Sequence, residues 1–224
     1  SKIVPIFKNL EVEYDGGWKY TETYTQYWID GNIYNFAAVV NGEVKDAELV
    51  NGLPQTIHYT AGNGDLLYAA YGPYEAEASG NPAVPFSFKH LLSKAVFTFK
   101  NTTPANTNNS PDNIYKVTNI NVRGIACSAN YTVSTETWSD HIYAPVTTEY
   151  FGHIVGATEK GENVAAVGIY EQGTGKSNYE RLLIPGKYTV TISCTITLYN
   201  GQATEDRIVD VINYDKDVDI VLEK

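Results

Sequence analysis

The clearest pattern in the chain is a strict alternation of apolar and polar residues between Tyr188 and Leu198. A period of two places every second side chain on the same face of a β-strand. The expected core face consists of Tyr188, Val190, Ile192, Cys194, Ile196 and Leu198. A shift of one residue in pairing register would expose all of these apolar side chains, so the pattern predicts a strand with strongly specified pairing.

Shorter alternating segments occur at Ala95–Phe99, Ile120–Val122 and Val218–Leu222. Turn-forming residues separate the strand-like segments at short intervals: Asp15-Gly16-Gly17, Asp30-Gly31-Asn32, Asn41-Gly42, Asn51-Gly52, Gly62-Asn63-Gly64 and Asn200-Gly201. This spacing is typical of a sandwich or a barrel. No segment keeps a helical period over three turns, and the best helical candidate is the short segment His90–Lys94. We therefore predict an all-β protein with little helix.

The length of 224 residues allows one large β-domain or two smaller sandwiches. Small residues and proline dominate between Ala78 and Pro85, which is typical of a crossing between domains. We expect an amino-terminal β-domain over residues 1–83 and a carboxy-terminal β-sandwich over residues 84–224. The segment Asn101–Asn113 is rich in Asn, Thr, Ser and Pro, and we predict a long exposed loop there.

The composition is globular, with 43% apolar and 19% charged residues. The net charge of −10 comes without any basic stripe, which argues against nucleic acid as a partner. No apolar run approaches the length of a membrane-spanning helix. The start at Ser1-Lys2-Ile3 carries no leader, so we expect a mature or trimmed form of an exported protein. Cys127 and Cys194 are compatible with one disulfide or with two free thiols, and the free thiols are the favoured interpretation.

The sequence offers no strong signal for catalysis, a cofactor or a metal. Gly173-Thr-Gly175-Lys176-Ser177 ends like a phosphate-binding loop, but Tyr170 stands where that loop needs glycine, and a polar hairpin turn is favoured.

The four histidines, His58, His90, His141 and His153, lack the spacing of a zinc helix. Five aspartates near the end, Asp206, Asp210, Asp215, Asp217 and Asp219, lack EF-hand spacing and are better explained as the solvent face of a strand. No nucleophile or carboxylate pair can be nominated for hydrolysis.

An early group of aromatic residues consists of Trp18, Tyr20, Tyr24, Tyr27 and Trp28. Such rings can stack on sugars, or they can pack in the core and in cross-strand pairs. Because Tyr20, Tyr24 and Trp28 share one parity, we favour packing on one face of a strand.

Three segments resemble the fimbrillin-like (Mfa-like) proteins that build or decorate Bacteroidales fimbriae. The first is Tyr27-Trp28 followed by Tyr34-Asn-Phe36-Ala-Ala38. The second and most specific is Gly64-Asp65-Leu66-Leu67-Tyr68-Ala69 followed by Phe86-Ser-Phe88-Lys-His90-Leu-Leu-Ser-Lys94. The third is Leu183-Ile-Pro185-Gly186-Lys187-Tyr188.

The resemblance implies two transthyretin-like β-sandwiches and a cell-surface location in the outer membrane or in a fimbria. It also implies export as a lipoprotein precursor, so that a lipid anchor on the precursor would be the only link to the membrane. His90 and Lys94 match the motif, and we expect them to be structural. The family's leading segment is expected to be missing or trimmed.

Subunits of this type are thought to join when one chain's strand completes another's sheet. The expected exchange edges are the first strand, from Ile3 to Val12, and the terminal strand with Val218, Ile220 and Leu222. We therefore expect a non-enzymatic fimbrial subunit or adhesin whose partners are other subunits or host surface ligands. The alternative is a monomeric surface lipoprotein that binds a glycan or a host protein through loops and aromatic side chains.

Overall fold

The computed structural model describes residues 4–7, 10–14, 16, 18–20, 27–95, 113–143, 149–150, 169–170, 177–178, 181–200 and 204–223. The eighteen strands in these ranges are β1 (Val12–Tyr14), β2 (Trp18–Tyr20), β3 (Ile33–Val40), β4 (Leu49–Val50), β5 (Leu53–Pro54), β6 (Thr56–Thr60), β7 (Leu67–Glu75), β8 (Lys89–His90), β9 (Ser93–Ala95), β10 (Asn113–Arg123), β11 (Ser128–Thr132), β12 (Thr137–Ile142), β13 (Glu149–Tyr150), β14 (Ile169–Tyr170), β15 (Ser177–Asn178), β16 (Arg181–Leu183), β17 (Gly186–Asn200) and β18 (Ile208–Leu222). Helix in the described residues is limited to two 3₁₀ turns, Asp46–Glu48 and Glu205–Arg207. The prediction of an all-β protein is confirmed.

The chain divides into two compact units. Unit 1 contains Ser1–Leu91 together with Asn130–Ser139, and unit 2 contains Leu92–Ala129 together with Asp140–Lys224. The division therefore follows Leu91, whereas we expected a boundary near residue 84. The return of a ten-residue segment to unit 1 has no counterpart in the expected ranges of 1–83 and 84–224. Whether either range folds independently stays a prediction.

Unit 1 is built from antiparallel strands. Strands β3, β7 and β8 form one sheet in that order, and the register runs from Ile33 opposite Glu75 to Val40 opposite Leu67. A second sheet has the order β12-β11-β6, and two small hairpins pair β1 with β2 and β4 with β5. The buried apolar side chains of this unit are Tyr34, Ile57, Tyr59, Leu66, Ala69, Ala76, Leu91 and Tyr131.

Unit 2 is organised around β17, which is 15 residues long. The sheet order is β13-β10-β17-β18, so β17 has a long neighbour on each side. Two shorter pairs join β16 to β9 and β14 to β15. The buried side chains of this unit are Leu92, Ser93, Val122, Ala126, Ala129, Leu183, Ile184, Tyr188, Val190, Cys194, Thr197 and Tyr199.

The alternation in β17 matches burial only over part of the strand. Tyr188, Val190 and Cys194 are buried on the expected face. Near the carboxyl end the buried residues are instead Thr197 and Tyr199, on the opposite face, and the apolar residues between and beside them are half-buried. Both faces are covered at this end, so the apolar pattern alone does not identify the core side there.

The side chain of Tyr188 stabilises the turn that leads into β17. The hydroxyl of Tyr188 donates a hydrogen bond of 2.8 Å to the carbonyl of Ile184, across Pro185 and Gly186. Tyr188 is 4% exposed and Ile184 is 1% exposed, so this bond lies in the core of unit 2. Burial, followed by the neighbouring Tyr143, raises the pKa of the Tyr188 hydroxyl well above its ordinary value. The proline-glycine turn named above is thus held by a buried, neutral phenol.

The best helical candidate of the sequence, His90–Lys94, is not helical. His90 ends β8 and Ser93 begins β9, and the residues between them are buried: Leu91 is fully inaccessible and Leu92 is 5% exposed. The Leu91 amide donates to the carbonyl of Leu66 at 2.9 Å. Consecutive buried leucines suit an extended segment with neighbours on both faces, whereas a surface helix would need a polar side.

Candidate functional site

Strand β18 is the longest strand that has one partner in the described sheet order. It pairs with β17 from Gly186 opposite Leu222 to Tyr199 opposite Ile208. In the order β13-β10-β17-β18, no described strand lies on its other side. Every second residue of an antiparallel strand turns its N–H and C=O toward that outer side. The described part of unit 2 therefore presents a backbone edge 15 residues long.

One face of β18 is polar, and its aspartates are held by cross-strand hydrogen bonds. Thr189 and Thr191 donate to the carboxylates of Asp219 and Asp217 at 2.7 and 2.8 Å. Arg123 lies 3.1 Å from the carboxylate of Asp215. These groups are exposed, so each contact contributes little to stability. The expectation that these aspartates occupy a solvent face agrees with their positions.

The amino-terminal end of β18 carries exposed apolar side chains on both faces. Ile208 and Ile212 are 43% and 49% exposed, and Val209 and Val211 are 59% and 50% exposed. A long edge of β-branched residues is an unfavourable surface for a monomeric protein, because such an edge can pair with a strand of another chain. Natural edges are protected by charge or by β-bulges, and this segment has one charged residue, Asp210, beside a β-bulge at Val209.

The exchange edges predicted from the sequence fall partly on this surface. Val218 is 37% exposed, whereas Ile220 and Leu222 are half-buried opposite Tyr188 and Gly186. Val12 is 50% exposed and lies opposite Tyr20 in the β1–β2 hairpin. Ile3 lies outside the described residues. The exposed segment Ile208–Ile212 was not predicted, although its run of β-branched residues around one aspartate is visible in the sequence.

Comparison with models of known protein families identifies the family of this chain. The family model described as fimbrillin-like matches residues 4–211, which is most of the chain. The chain belongs to the fimbrillin-like family. A search of curated proteins found no match. The family match ends within β18, so Val218, Ile220 and Leu222 lie beyond it.

In this fimbrillin-like protein, one member of the early aromatic group, Trp28, packs against other rings. Trp28 meets Tyr34, Phe36 and Tyr74 in edge-to-face contacts, with ring centroids 4.9, 5.7 and 5.4 Å apart. Residues 27–29 are not in a strand, so the expected shared strand face does not include Trp28. Tyr27 is 78% exposed. Tyr24 and the side chains of Trp18 and Tyr20 lie outside the described residues.

The three described histidines all have hydrogen-bond partners. His58 contacts the carboxylate of Glu48 at 2.7 Å and the side-chain oxygen of Asn130 at 2.6 Å. His90 contacts Asp65 at 2.5 Å, and His141 contacts the carbonyl of Pro185 at 3.0 Å. His153 lies outside the described residues. A structural role for His90 and Lys94 stays a prediction; Lys94 is exposed and pairs through its backbone with Leu182.

No candidate for catalysis or metal binding emerges from the described ranges. Within them, no group of three or more His, Cys, Asp or Glu side chains lies close enough to hold a metal ion. An open depression of about 400 Å³ is lined by Asn41, Gly42, Glu43, His58, Thr60 and Asn63. The His58 ring there is already bonded through both nitrogens.

Both cysteines of the fimbrillin-like chain are free thiols. Cys127 is half-buried, and its thiol lies 3.2 Å from the carbonyl of Ile142. Cys194 is 5% exposed, and burial raises the pKa of its thiol. The disulfide that the sequence left open is not formed in this structure.

The loop around Gly173 lies outside the described residues, but the antiparallel pair β14–β15 flanks it, as a hairpin requires.

Within the described residues, no helix is long and apolar enough to cross a membrane.

Proposed function

We propose that this protein is a structural or accessory subunit of a cell-surface fimbria, or a fimbria-associated adhesin, and that it joins its neighbours by β-strand addition along β18. Membership of the fimbrillin-like family supports a fimbrial role in general. The family is structural rather than enzymatic. The observation that carries the mechanism is the outer edge of β18, with exposed apolar residues from Ile208 to Ile212.

The edge provides affinity through the backbone. A strand laid beside β18 would form a ladder of N–H···O=C hydrogen bonds from Ile212 to Leu222, beyond the β-bulge that separates Ile208 from Asp210. Because these bonds need no particular side chain, they supply affinity without specificity.

The side chains would supply specificity. Ile208, Val209, Val211 and Ile212 offer apolar surface on both faces, so a partner strand with consecutive apolar residues would cover them. Farther along the strand, Asp215, Asp217 and Asp219 present carboxylates on one face. A partner strand with basic or hydroxyl side chains in this part would fit best, which fixes its register.

The proposed location follows from this role. We place the subunit at the cell surface, with other fimbrial subunits or host surface ligands as its partners. Export as a lipoprotein precursor and attachment to the outer membrane of a Bacteroidales cell rest on the sequence resemblance.

The test is assembly of the full-length, processed protein with the edge changed. In the double variant Val209→Lys/Val211→Lys, two exposed apolar side chains on the edge become charged. The matched control is Val50→Lys, because Val50 is also an exposed valine, at 53%, but lies in β4 of unit 1. Light scattering and negative-stain microscopy at matched concentration measure the result.

We expect filaments or ladders from the wild type and from Val50→Lys, and monomers from the edge variant with an unchanged circular dichroism spectrum. Equal assembly of all three proteins would refute β18 as the joining edge. A strictly monomeric wild type would refute the proposed assembly by β-strand addition altogether.

A second candidate function, binding of a glycan or a host protein, is supported by one exposed aromatic pair. Phe86 and Phe88 are 39% and 37% exposed, with ring centroids 6.0 Å apart. Such rings can stack on sugars. Binding on a glycan array that is lost in Phe86→Ala/Phe88→Ala would favour this function, and an array without any signal would oppose it.

A further inference from the structure

The second segment of unit 1, Asn130–Ser139, lies far along the chain from the rest of that unit. It forms the outer part of the hairpin made by β11 and β12. The sheet order β12-β11-β6 places β11 beside β6, so this hairpin covers an edge that β6 would otherwise expose. We call residues 130–139 the returning hairpin.

The contacts of the returning hairpin are those of a core element. Tyr131 is 2% exposed and is among the largest fully buried side chains of the protein. Its ring lies 5.3 Å from that of Trp138, and Trp138 in turn lies 6.4 Å from Tyr59 of β6. Aromatic groups of this size contribute a large share of the apolar area buried in a small unit.

Polar contacts fix the register of the hairpin on unit 1. The side-chain oxygen of Asn130 lies 2.6 Å from Nδ1 of His58, which is held from the other side by Glu48. The amide of Val133 donates to the carbonyl of Gln55 at 2.9 Å. These bonds occur at defined positions, so a hairpin displaced by one residue would lose them.

We propose that the β6 edge of unit 1 is a binding site for a β-hairpin, that the returning hairpin is its resident ligand, and that unit 1 holds its fold only while this site is filled. The physical reason is that removal of the hairpin exposes a strand edge and takes the Trp138 ring away from Tyr59, which is 3% exposed in the intact unit. The fitting ligand is an extended hairpin that places an aromatic residue at the position of Tyr131 and a side-chain acceptor opposite His58.

The first experiment uses the unmodified chain. Native-state hydrogen exchange in low denaturant follows the amides of the returning hairpin and those of β3 and β7. We expect both sets to open in one cooperative step with the same dependence on denaturant. Opening of the hairpin while β3 and β7 stay protected would overturn the proposal, because the hairpin would then be an appendage.

The second experiment separates the site from its ligand. In the full chain, residues 130–139 are replaced by a short Gly-Ser linker, and a synthetic peptide of residues 126–143 is then added. We expect the replaced chain to lose amide protection in β3 and β7 by roughly 100-fold or more, and the peptide to restore it.

The matched control is the same peptide with Tyr131→Ala, which should restore little or nothing. A replaced chain that keeps full protection without peptide, or two peptides that act alike, would overturn the proposal. This outcome is independent of assembly, because unit 1 does not contain β18.

Discussion

Replacement of Tyr188 by phenylalanine removes one hydroxyl from the core of unit 2 and leaves the ring in place. The lost contact is the 2.8 Å hydrogen bond to the carbonyl of Ile184. Both residues are almost inaccessible, so the carbonyl would lose its partner without gaining water. Leaving a buried acceptor without a partner costs about 1–3 kcal/mol, and we expect unit 2 to be destabilised by that amount at pH 7.

The same variant has a pH signature. Burial, and after it Tyr143, raises the pKa of Tyr188 above its ordinary value of 10.0. The folded state therefore keeps the phenol proton at a pH where the unfolded chain releases it. The stability that depends on this proton is fully present below pH 10 and falls by about 1.4 kcal/mol per pH unit above it. Phenylalanine does not titrate, so the stability difference between the two proteins should shrink as the pH rises from 10 to 11.

The assay uses the uneven distribution of tryptophan. Trp18, Trp28 and Trp138 all belong to unit 1, so tryptophan fluorescence reports that unit, whereas far-UV circular dichroism reports both. Guanidinium unfolding at pH 7 should show a dichroism transition shifted to lower denaturant in Tyr188→Phe, and this shift should shrink at pH 10 and 11; the fluorescence transition measures separately how unit 1 responds. The control is Tyr214→Phe, because Tyr214 is 38% exposed on β18.

Two results would refute this reasoning. One is a loss of stability at pH 7 no larger than in the Tyr214→Phe control, which would mean that the hydroxyl bond contributes little. The other is a stability difference that stays constant from pH 10 to 11, which would mean that Tyr188 titrates as it does in the unfolded chain.

Three further predictions concern other parts of the protein. Gly124 has a φ of +94°, and an added Cβ would lie 2.9 Å from the Thr189 carbonyl, so Gly124→Ala should destabilise unit 2 by about 1–3 kcal/mol in dichroism-monitored unfolding. Cys194 should react with a thiol reagent far more slowly than Cys127, because its thiol is buried and has a raised pKa; equal rates in the native state would contradict this, and denaturant should remove the difference. Trp28→Ala should destabilise unit 1 by about 3 kcal/mol, since three rings pack against that indole; an unchanged midpoint in dichroism-monitored unfolding would contradict the cluster.

Much of the fold was predictable because strand formation has a local signature. The alternation from Tyr188 to Leu198 gave the central strand of unit 2, and β17 extends it by only two residues at each end. The terminal segment Val218–Leu222 is likewise in a strand, which begins earlier, at Ile208. The sequence could not decide whether His90–Lys94 is helical, because a pair of buried leucines has the same local pattern in a helix and in an extended segment.

The candidate site was predictable only in part. The sequence led to the last strand as an exchange edge, but it pointed to Val218, Ile220 and Leu222, two of which are half-buried against β17. The more exposed residues lie at the other end of the same strand, from Ile208 to Ile212. Exposure depends on which neighbours cover each side of the sheet, and those neighbours come from distant parts of the chain.

By itself, the sequence determined the strand-rich fold, the central strand of unit 2 and the membership of the fimbrillin-like family, because residue type, period and short motifs are all local properties. Only the tertiary structure decided that Thr197 and Tyr199 are buried, that Asn130–Ser139 belongs to unit 1, and that β18 is the last strand in the sheet order of the described residues. These features follow from which strands pair across long sequence separations. Pairing of that kind is set by the balance of buried area and loop closure over the whole chain, so no local pattern specifies it.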